Sequence, residues 1–341
     1  MQEHNNNNTD FLKMQEEQVS KELDCKFLRH KKDSFILSDS YSRLGYDSRS
    51  IRVAECGSFL EFALFPEQDT KAKLHNANFC KDRLCPMCSW RRTLKVFGQV
   101  SQVMDVIGDD YLFLFLTLTV RNCAASELQE AVSNLQKGFS ALSKYKVFKA
   151  AFKGFFKALE VTRHPEYDDR SIEYHPHLHV ILAVNKGYFD SRYYLSQSAI
   201  TELWKKALGV DYTPVVDIRR VRDKKGSSSG DMDLSAAVAE SAKYTVKSND
   251  YLFVSDEQRL DEGVYTLLTS LFHRRLCSFG GCFDEARKKL GLDDVVDGDL
   301  VQVDGRSLRD DVKYILVRYR WQVGLGYVLD SRYFNVDVSF D

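Results

Sequence analysis

Apolar and polar residues follow two rhythms along this chain, one of period two and one close to 3.6. Residues 51–66, IRVAECGSFLEFALFP, alternate apolar and polar side chains and predict a half-buried strand or hairpin. Residues 111–120, YLFLFLTLTV, are β-branched and aromatic almost throughout, which predicts a central strand buried on both faces. Helices are predicted over 89–107 and over 126–153, where Leu128, Val132, Leu135, Phe139 and Leu142 recur at helical spacing. Two strands follow, Phe155–Thr162 and His177–Val184, joined by a polar loop with Pro165, Asp168 and Asp169. A helix over 192–208 carrying Leu203 and Trp204, a strand over Val215–Val221, the flexible stretch KKGSSSGD and a helix over 234–249 complete this pattern. The order strand, helix, strand, strand, helix, strand, helix predicts an α+β fold, a central and largely antiparallel sheet flanked by helices.

Outside that block the rhythm fades. Residues 1–50 are polar with short strand-like pieces such as Phe35-Ile36-Leu37, and the first ~20 read as a disordered arm. The expected domains are therefore an N-terminal arm (1–50), a cysteine-rich module (51–104), the sheet domain (105–255) and a C-terminal region (256–341). That last region is rich in Arg, Asp and aromatics and carries no motif we can read.

Composition narrows the class only a little. Apolar residues make up 44% and charged residues 28%, ordinary globular values. With 48 basic against 49 acidic residues the net charge is −1, so binding to nucleic acid has to rest on local clusters. The N-terminus lacks a signal-type apolar stretch, and the longest apolar run, Tyr111 to Leu118, is too short to span a bilayer. A cytoplasmic, non-membrane protein is expected, in which clustered thiols bind metal more often than they form disulfides.

Three histidines stand at alternate positions in Tyr174-His175-Pro176-His177-Leu178-His179-Val180. Alternate side chains of a strand share a face, so His177 and His179 point the same way and can grip one divalent ion. Glu160 lies on the preceding strand. It is either a water-exposed strand glutamate or, if the two strands pair antiparallel, a third ligand. Two imidazoles and a carboxylate suit Mg²⁺, Mn²⁺ or Zn²⁺.

In the helix LSAAVAESAKYTVKSNDY, Glu240, Tyr244 and Lys247 fall at i, i+4 and i+7 on one stripe. A phenol attacking phosphate needs a nearby cation, which Lys247 or Lys243 supplies, and Glu240 can activate water as a general base. Taken alone, the stripe is equally an exposed face with an ordinary Glu/Lys pairing. Cys80, Cys85 and Cys88 form a tight cluster whose Cys-Pro-x-Cys piece suits a structural zinc. Cys56 is the first choice as fourth ligand and His75 the second. Cys25, Cys123, Cys277 and Cys282 read as small apolar fillers. The basic run Lys81, Arg83, Arg91, Arg92 and Lys95 would place phosphate-binding charge on the zinc module.

Together these blocks carry a resemblance. Phe115-Leu116-Thr117-Leu118-Thr119, His175-Pro176-His177-Leu178-His179-Val180 and Glu240 to Tyr244 with Lys247 stand in the order found in one family, and Cys80-x4-Cys85-Pro86-x-Cys88 with Trp90-Arg91-Arg92 also looks like that family. Over residues 50–255 the chain resembles the rolling-circle plasmid replication initiators of Gram-positive bacteria, members of the His-hydrophobic-His nickase superfamily with a ferredoxin- or RRM-like core. The resemblance implies a DNA nicking-closing enzyme in which Tyr244 is the nucleophile, His177, His179 and Glu160 hold Mg²⁺ or Mn²⁺, and Lys243 contributes to DNA binding. Two-tyrosine relatives place a second tyrosine one turn from the first. Here Glu240 fills that slot, which implies a single-tyrosine mechanism with termination by hydrolysis and leaves Tyr251 a weaker candidate. The implied partners are double-strand origin DNA, a host helicase and a single-strand-binding protein, with a homodimer compatible. The competing readings are a histidine-triad nucleotide hydrolase, a non-catalytic zinc-dependent DNA-binding regulator, and a transposase of the same superfamily. A covalent protein–DNA adduct would exclude the first two, and origin dependence the third.

Overall fold

A computed structural model describes residues 2–165, 172–222, 232–242, 251–252, 256–294, 297–303 and 313–334. The chain forms two compact units, one of Met1–Arg91 with Asp299–Asp341 and one of Arg92–Gly298. This division differs from the four consecutive segments expected above. The C-terminal region belongs to no separate domain, because its first part joins the second unit and its last strands join the first.

In the first unit, helices α1 (Gln2–Glu22), α2 (Leu28–Arg43) and α3 (Asp47–Glu55) precede strands β1 (Phe59–Leu64) and β2 (Lys73–Ala77). The terminal strands β9 (Ile315–Gln322) and β10 (Gly326–Phe334) return to give an antiparallel sheet in the order β10-β9-β1-β2. Glu61 lies directly across from Arg318 and pairs with it at 3.0 Å, a cross-strand ion pair that the chain brings together from its two ends. The expected disordered arm is instead helical. Its Gln15 side chain accepts from the Phe65 N–H at 2.6 Å and donates to the Phe65 carbonyl at 3.0 Å, and Val19 is buried. Phe35-Ile36-Leu37 is likewise helix rather than strand: Ser34, Leu37, Ser38 and Tyr41 are buried at helical spacing within α2. Residues 51–66 split into the end of α3 and β1, with Gly57 at φ +65° making the turn.

Helix α4 (Pro86–Ile107) starts at a proline, whose missing N–H costs nothing in a first helical turn. The second unit then builds a six-stranded sheet among the described residues, in the order β7-β6-β3-β5-β4-β8. Its strands are β3 (Tyr111–Thr119), β4 (Gly154–Pro165), β5 (Ile172–Asn185), β6 (Val216–Arg222), β7 (Met232–Asp233) and β8 (Cys277–Gly281). All pairs are antiparallel except β6 with β7. The α+β architecture is the one read from the sequence.

Helices α5 (Leu128–Leu142) and α7 (Gln197–Leu208) pack together, and all five periodic residues of α5 are buried. Gly138 permits the approach, since a Cβ there would lie 2.8 Å from Leu208 and 3.1 Å from Trp204. Buried Trp204 donates its indole N–H to the Thr119 carbonyl at 2.9 Å, which ties α7 to the end of β3 that faces His177. Trp204→Ala should therefore cost about 3–5 kcal/mol, read as a lower urea midpoint with an unchanged m-value. The remaining helices of this unit among the described residues include α6 (Lys146–Ala151), α8 (Leu234–Ala242), α9 (Glu257–Leu271) and α10 (Cys282–Lys289). Cys123, Cys277 and Cys282 are buried fillers as expected, whereas Cys25 is exposed.

Candidate metal and catalytic centre

The register of three strands assembles the centre. Glu160 on β4 lies directly across from His177 on β5, while Thr119 and Thr117 on β3 lie across from His177 and His179. Directly opposed residues share a face of the sheet, so Glu160, His177 and His179 converge. Glu160 Oε2 is 3.1 Å from His177 Nε2 and 2.8 Å from His179 Nε2, and the two Nε2 atoms are 3.1 Å apart. All three residues are buried.

This packing tests whether a metal fits. His177 Nδ1 sits 3.1 Å from the His175 carbonyl oxygen, which can only accept, so Nδ1 donates there and Nε2 is the nitrogen that faces the centre. His179 Nδ1 contacts the Thr117 hydroxyl at 3.4 Å, again leaving Nε2 toward the centre. Two imidazole nitrogens and a carboxylate oxygen gathered this closely can share one cation. Ligand atoms ~2.1 Å from one ion and at right angles to it lie ~3 Å apart, which matches the observed separations. Burial opposes charge on Glu160, but the hydrogen bonds and charge of the two histidines outweigh it and hold the carboxyl far below the usual carboxylate range. The donor set fits a divalent ion.

Glu240 stands beside this centre. Ala237, Val238, Ser241 and Ala242 pack helix α8 down, and Glu240 brings Oε1 to 3.7 Å from His179 Nε2. Its side chain remains about one-third open to solvent. Lys243, Tyr244 and Lys247 lie outside the described residues. Tyr251 is almost completely buried, which removes it from contact with a strand of DNA in this conformation.

The four cysteines of the first unit also meet. Sulfurs of Cys56, Cys80, Cys85 and Cys88 all lie within 4.8 Å of one another, with Cys56–Cys88 at 3.5 Å and Cys80–Cys88 at 3.7 Å. Tetrahedral Zn–S bonds of ~2.3 Å place sulfurs ~3.8 Å apart, so the set fits zinc. His75 is not among them. The backbone N–H of Cys80 donates to Cys56 Sγ, that of Lys81 to Cys88 Sγ and that of Asp82 to Cys80 Sγ, at 3.3, 3.2 and 3.4 Å. Such a turn needs Lys81 at φ +59°. Burial raises the Cys85 thiol, but hydrogen bonds from the other three outweigh it and draw it down, while Cys56 and Cys88 are pushed up. Four touching thiols cannot all ionise without a cation. Asp82 braces the turn from behind, accepting from Arg49 at 2.6 Å, the Tyr41 hydroxyl at 3.0 Å and the Leu84 N–H at 2.9 Å. Sequence reasoning missed Asp82, although an acid two positions after a knuckle cysteine is a readable signal.

The basic run needs correction. Arg91, Arg92 and Lys95 are buried rather than displayed to phosphate. Arg91 donates to the carbonyls of Leu300 and Val301 at 2.9 and 2.6 Å, and Lys95 pairs with Asp293 at 2.5 Å. These side chains satisfy backbone and carboxylate groups brought from far along the chain. Arg83 is half-buried and Lys81 exposed.

Comparison with known proteins places these motifs in context. The family profile described as "Replication protein" matches residues 71–328. A "Protein rep" from a Bacillus species is 38% identical over 296 residues, covering 82% of this chain and 92% of the relative. A "Protein rep" from Bacillus amyloliquefaciens is 38% identical over 272 residues, covering 76% of this chain and 78% of the relative. A "Protein rep" from Streptococcus pneumoniae is 38% identical over 275 residues, covering 79% and 80%. No solved structure matches this chain.

Proposed function

Because this chain belongs to the replication protein family of Gram-positive plasmid initiators, we propose that it starts rolling-circle replication by nicking one strand of the plasmid's double-strand origin. The observation that carries this reading is the convergence of Glu160, His177 and His179, with Glu240 at the edge of the same centre. Mg²⁺ or Mn²⁺ held by those three side chains supplies positive charge to the scissile phosphate. Tyr244 is the nucleophile: its phenolic oxygen bonds to phosphorus, the 3′ oxygen of the preceding nucleotide leaves, and the phenol's proton ends on that oxygen. The products are a 5′-phosphotyrosine and a free 3′-hydroxyl that serves as primer. Lys247 stabilises the phenolate, and Lys243 and Arg83 contact the DNA backbone. At termination Glu240 takes a proton from the water that cleaves the regenerated origin.

Zinc at Cys56, Cys80, Cys85 and Cys88 holds the first unit together. Partners under this reading are origin DNA, a host helicase and single-strand-binding protein, acting on a monomer or homodimer in the bacterial cytoplasm. No helix among the described residues is long and apolar enough to cross a membrane.

The test is cleavage of an origin-strand oligonucleotide with Mn²⁺ or with EDTA. Cleavage should require the metal, and His179→Ala should lower the rate about a thousandfold, ~4 kcal/mol at 1.36 kcal/mol per factor of ten. Cleavage by His179→Ala at the normal rate, or in EDTA, would refute the reading.

A further inference from the structure

A second feature of the sheet domain lies at the opposite end of β5 from the histidines. The segment Lys186–Leu195 follows the last residue of that strand and carries three exposed aromatic rings, Phe189, Tyr193 and Tyr194, which are 39%, 42% and 49% exposed. Large apolar rings in water at this density mark a binding surface more often than chance exposure. The segment is not loose. Tyr188 is buried against Phe152 with ring centroids 6.0 Å apart, and its hydroxyl accepts from the Leu195 N–H at 3.0 Å. Ser191 donates its hydroxyl to the Tyr188 carbonyl at 2.8 Å and accepts from the Tyr193 N–H at 3.2 Å. The backbone under the rings is therefore held in place before any ligand arrives.

Two arginines are laid on these rings. Arg220 of β6 sits 4.8 Å from the Phe189 centroid. Arg192 sits 4.9 Å from the Tyr193 centroid and donates to its hydroxyl at 2.7 Å. Phe189 and Tyr194 lie with centroids 6.1 Å apart. A surface that interleaves fixed aromatic faces with guanidinium groups supplies stacking for unpaired bases and charge for the phosphates between them. A paired duplex hides its base faces, and an apolar protein partner would leave the guanidinium charges without a counterpart. By register, Arg220 and Leu182 lie across from Leu114, on the face away from His177 and His179. From His179 to Asn185 the strand advances six residues, ~20 Å, and Arg220, level with Leu182, is on the opposite face of the sheet, so this surface is separate from the catalytic centre.

We propose that Phe189, Tyr193 and Tyr194, with Arg192 and Arg220, form a second DNA site that holds single-stranded DNA by base stacking. The proposal rests on the nickase reading only for the source of the strand, which is the plasmid strand freed by nicking. It concerns grip on the strand rather than cleavage.

The test uses the full chain and a fluorescent 25-nucleotide oligodeoxythymidine, which has no origin sequence. The triple variant Phe189→Ala, Tyr193→Ala, Tyr194→Ala should bind it at least tenfold more weakly, since each stacked base contributes about a factor of ten. The same variant should cleave a short origin oligonucleotide at the normal rate. Tyr193→Phe with Tyr194→Phe keeps the rings and should keep the affinity. Normal oligodeoxythymidine binding by the triple alanine variant would overturn the proposal, as would equal weakening for duplex of the same length. A variant that binds normally but changes the protein's oligomeric state would also overturn it, assigning the surface to a second copy of the chain. Failure of the nickase reading would look different: the wild-type protein would bind the oligonucleotide through these rings and not cleave origin DNA.

Discussion

Tyr244→Phe is expected to remove both nicking and the covalent protein–DNA adduct to below detection, while Glu240→Gln keeps the first nick and loses termination. The two residues are four positions apart in the sequence, and their chemistry differs in kind. Opening the cycle needs a nucleophile that stays attached to the 5′ end, so that the phosphodiester energy is conserved for rejoining. A phenylalanine ring fills the same space and has no atom to bond to phosphorus. Closing the cycle needs a second cleavage when the regenerated origin returns. A second tyrosine would leave another adduct able to start a new round, whereas water activated by Glu240 yields a free end. The position of Glu240, 3.7 Å from His179 and partly open to solvent, suits a residue that handles water beside the metal ligands. Removing a general base of this kind costs about 10²- to 10⁴-fold in the step it serves. Glu240→Gln should therefore accumulate displaced strands longer than one plasmid unit, visible on a denaturing gel. If Glu240→Gln lost the first nick as completely as Tyr244→Phe, Glu240 would belong to initiation and the assignment would fail.

Cys85→Ser should eliminate bound zinc and unfold the unit built from the two chain ends. Cys85 is buried at the start of α4, where its sulfur faces the other three and the Ser34 hydroxyl at 3.7 Å. A serine oxygen is a poor zinc ligand, and loss of one ligand in four removes most of the binding energy. Structural zinc contributes on the order of 10–16 kcal/mol in small domains, more than the stability of a typical domain. Metal analysis should fall from one zinc per chain to none, and far-UV circular dichroism should lose helix from α1–α3. Zinc content equal to wild type in Cys85→Ser would refute a four-cysteine site. His75→Ala, by contrast, should leave zinc bound, because His75 lies outside the sulfur cluster.

The parts of this protein that could be read in the sequence are those whose signals are local. The run YLFLFLTLTV announces β3 because a strand buried on both faces is apolar and β-branched almost throughout, and the i, i+2 spacing of His177 and His179 places both on one face of β5. Glu160 needed one further inference, that the loop after it reverses the chain. Its register across from His177 then brings it to the imidazoles. The failures share a different cause, dependence on residues far away. Arg91 and Lys95 looked like phosphate ligands because their acceptors, at Leu300, Val301 and Asp293, lie some 200 positions on. The strands β9 and β10 were unreadable as part of the first unit because their partner, β1, is separated from them by the whole second unit. The N-terminal helix reads as a disordered arm because its composition is polar, and what holds it, such as Gln15 against Phe65, comes from some 50 positions on.

The central claim is that Tyr244 attacks an origin phosphate beside a metal held by Glu160, His177 and His179. Its most direct test is to trap the reaction of the purified protein with an origin-strand oligonucleotide and Mn²⁺, digest it with protease and nuclease, and sequence the nucleotide-bearing peptide by mass spectrometry. The account predicts a metal-dependent adduct on the peptide containing Tyr244, with the phosphate on its phenolic oxygen. An adduct on the peptide containing Tyr251 or any other residue, or cleavage with no adduct at all, would contradict it.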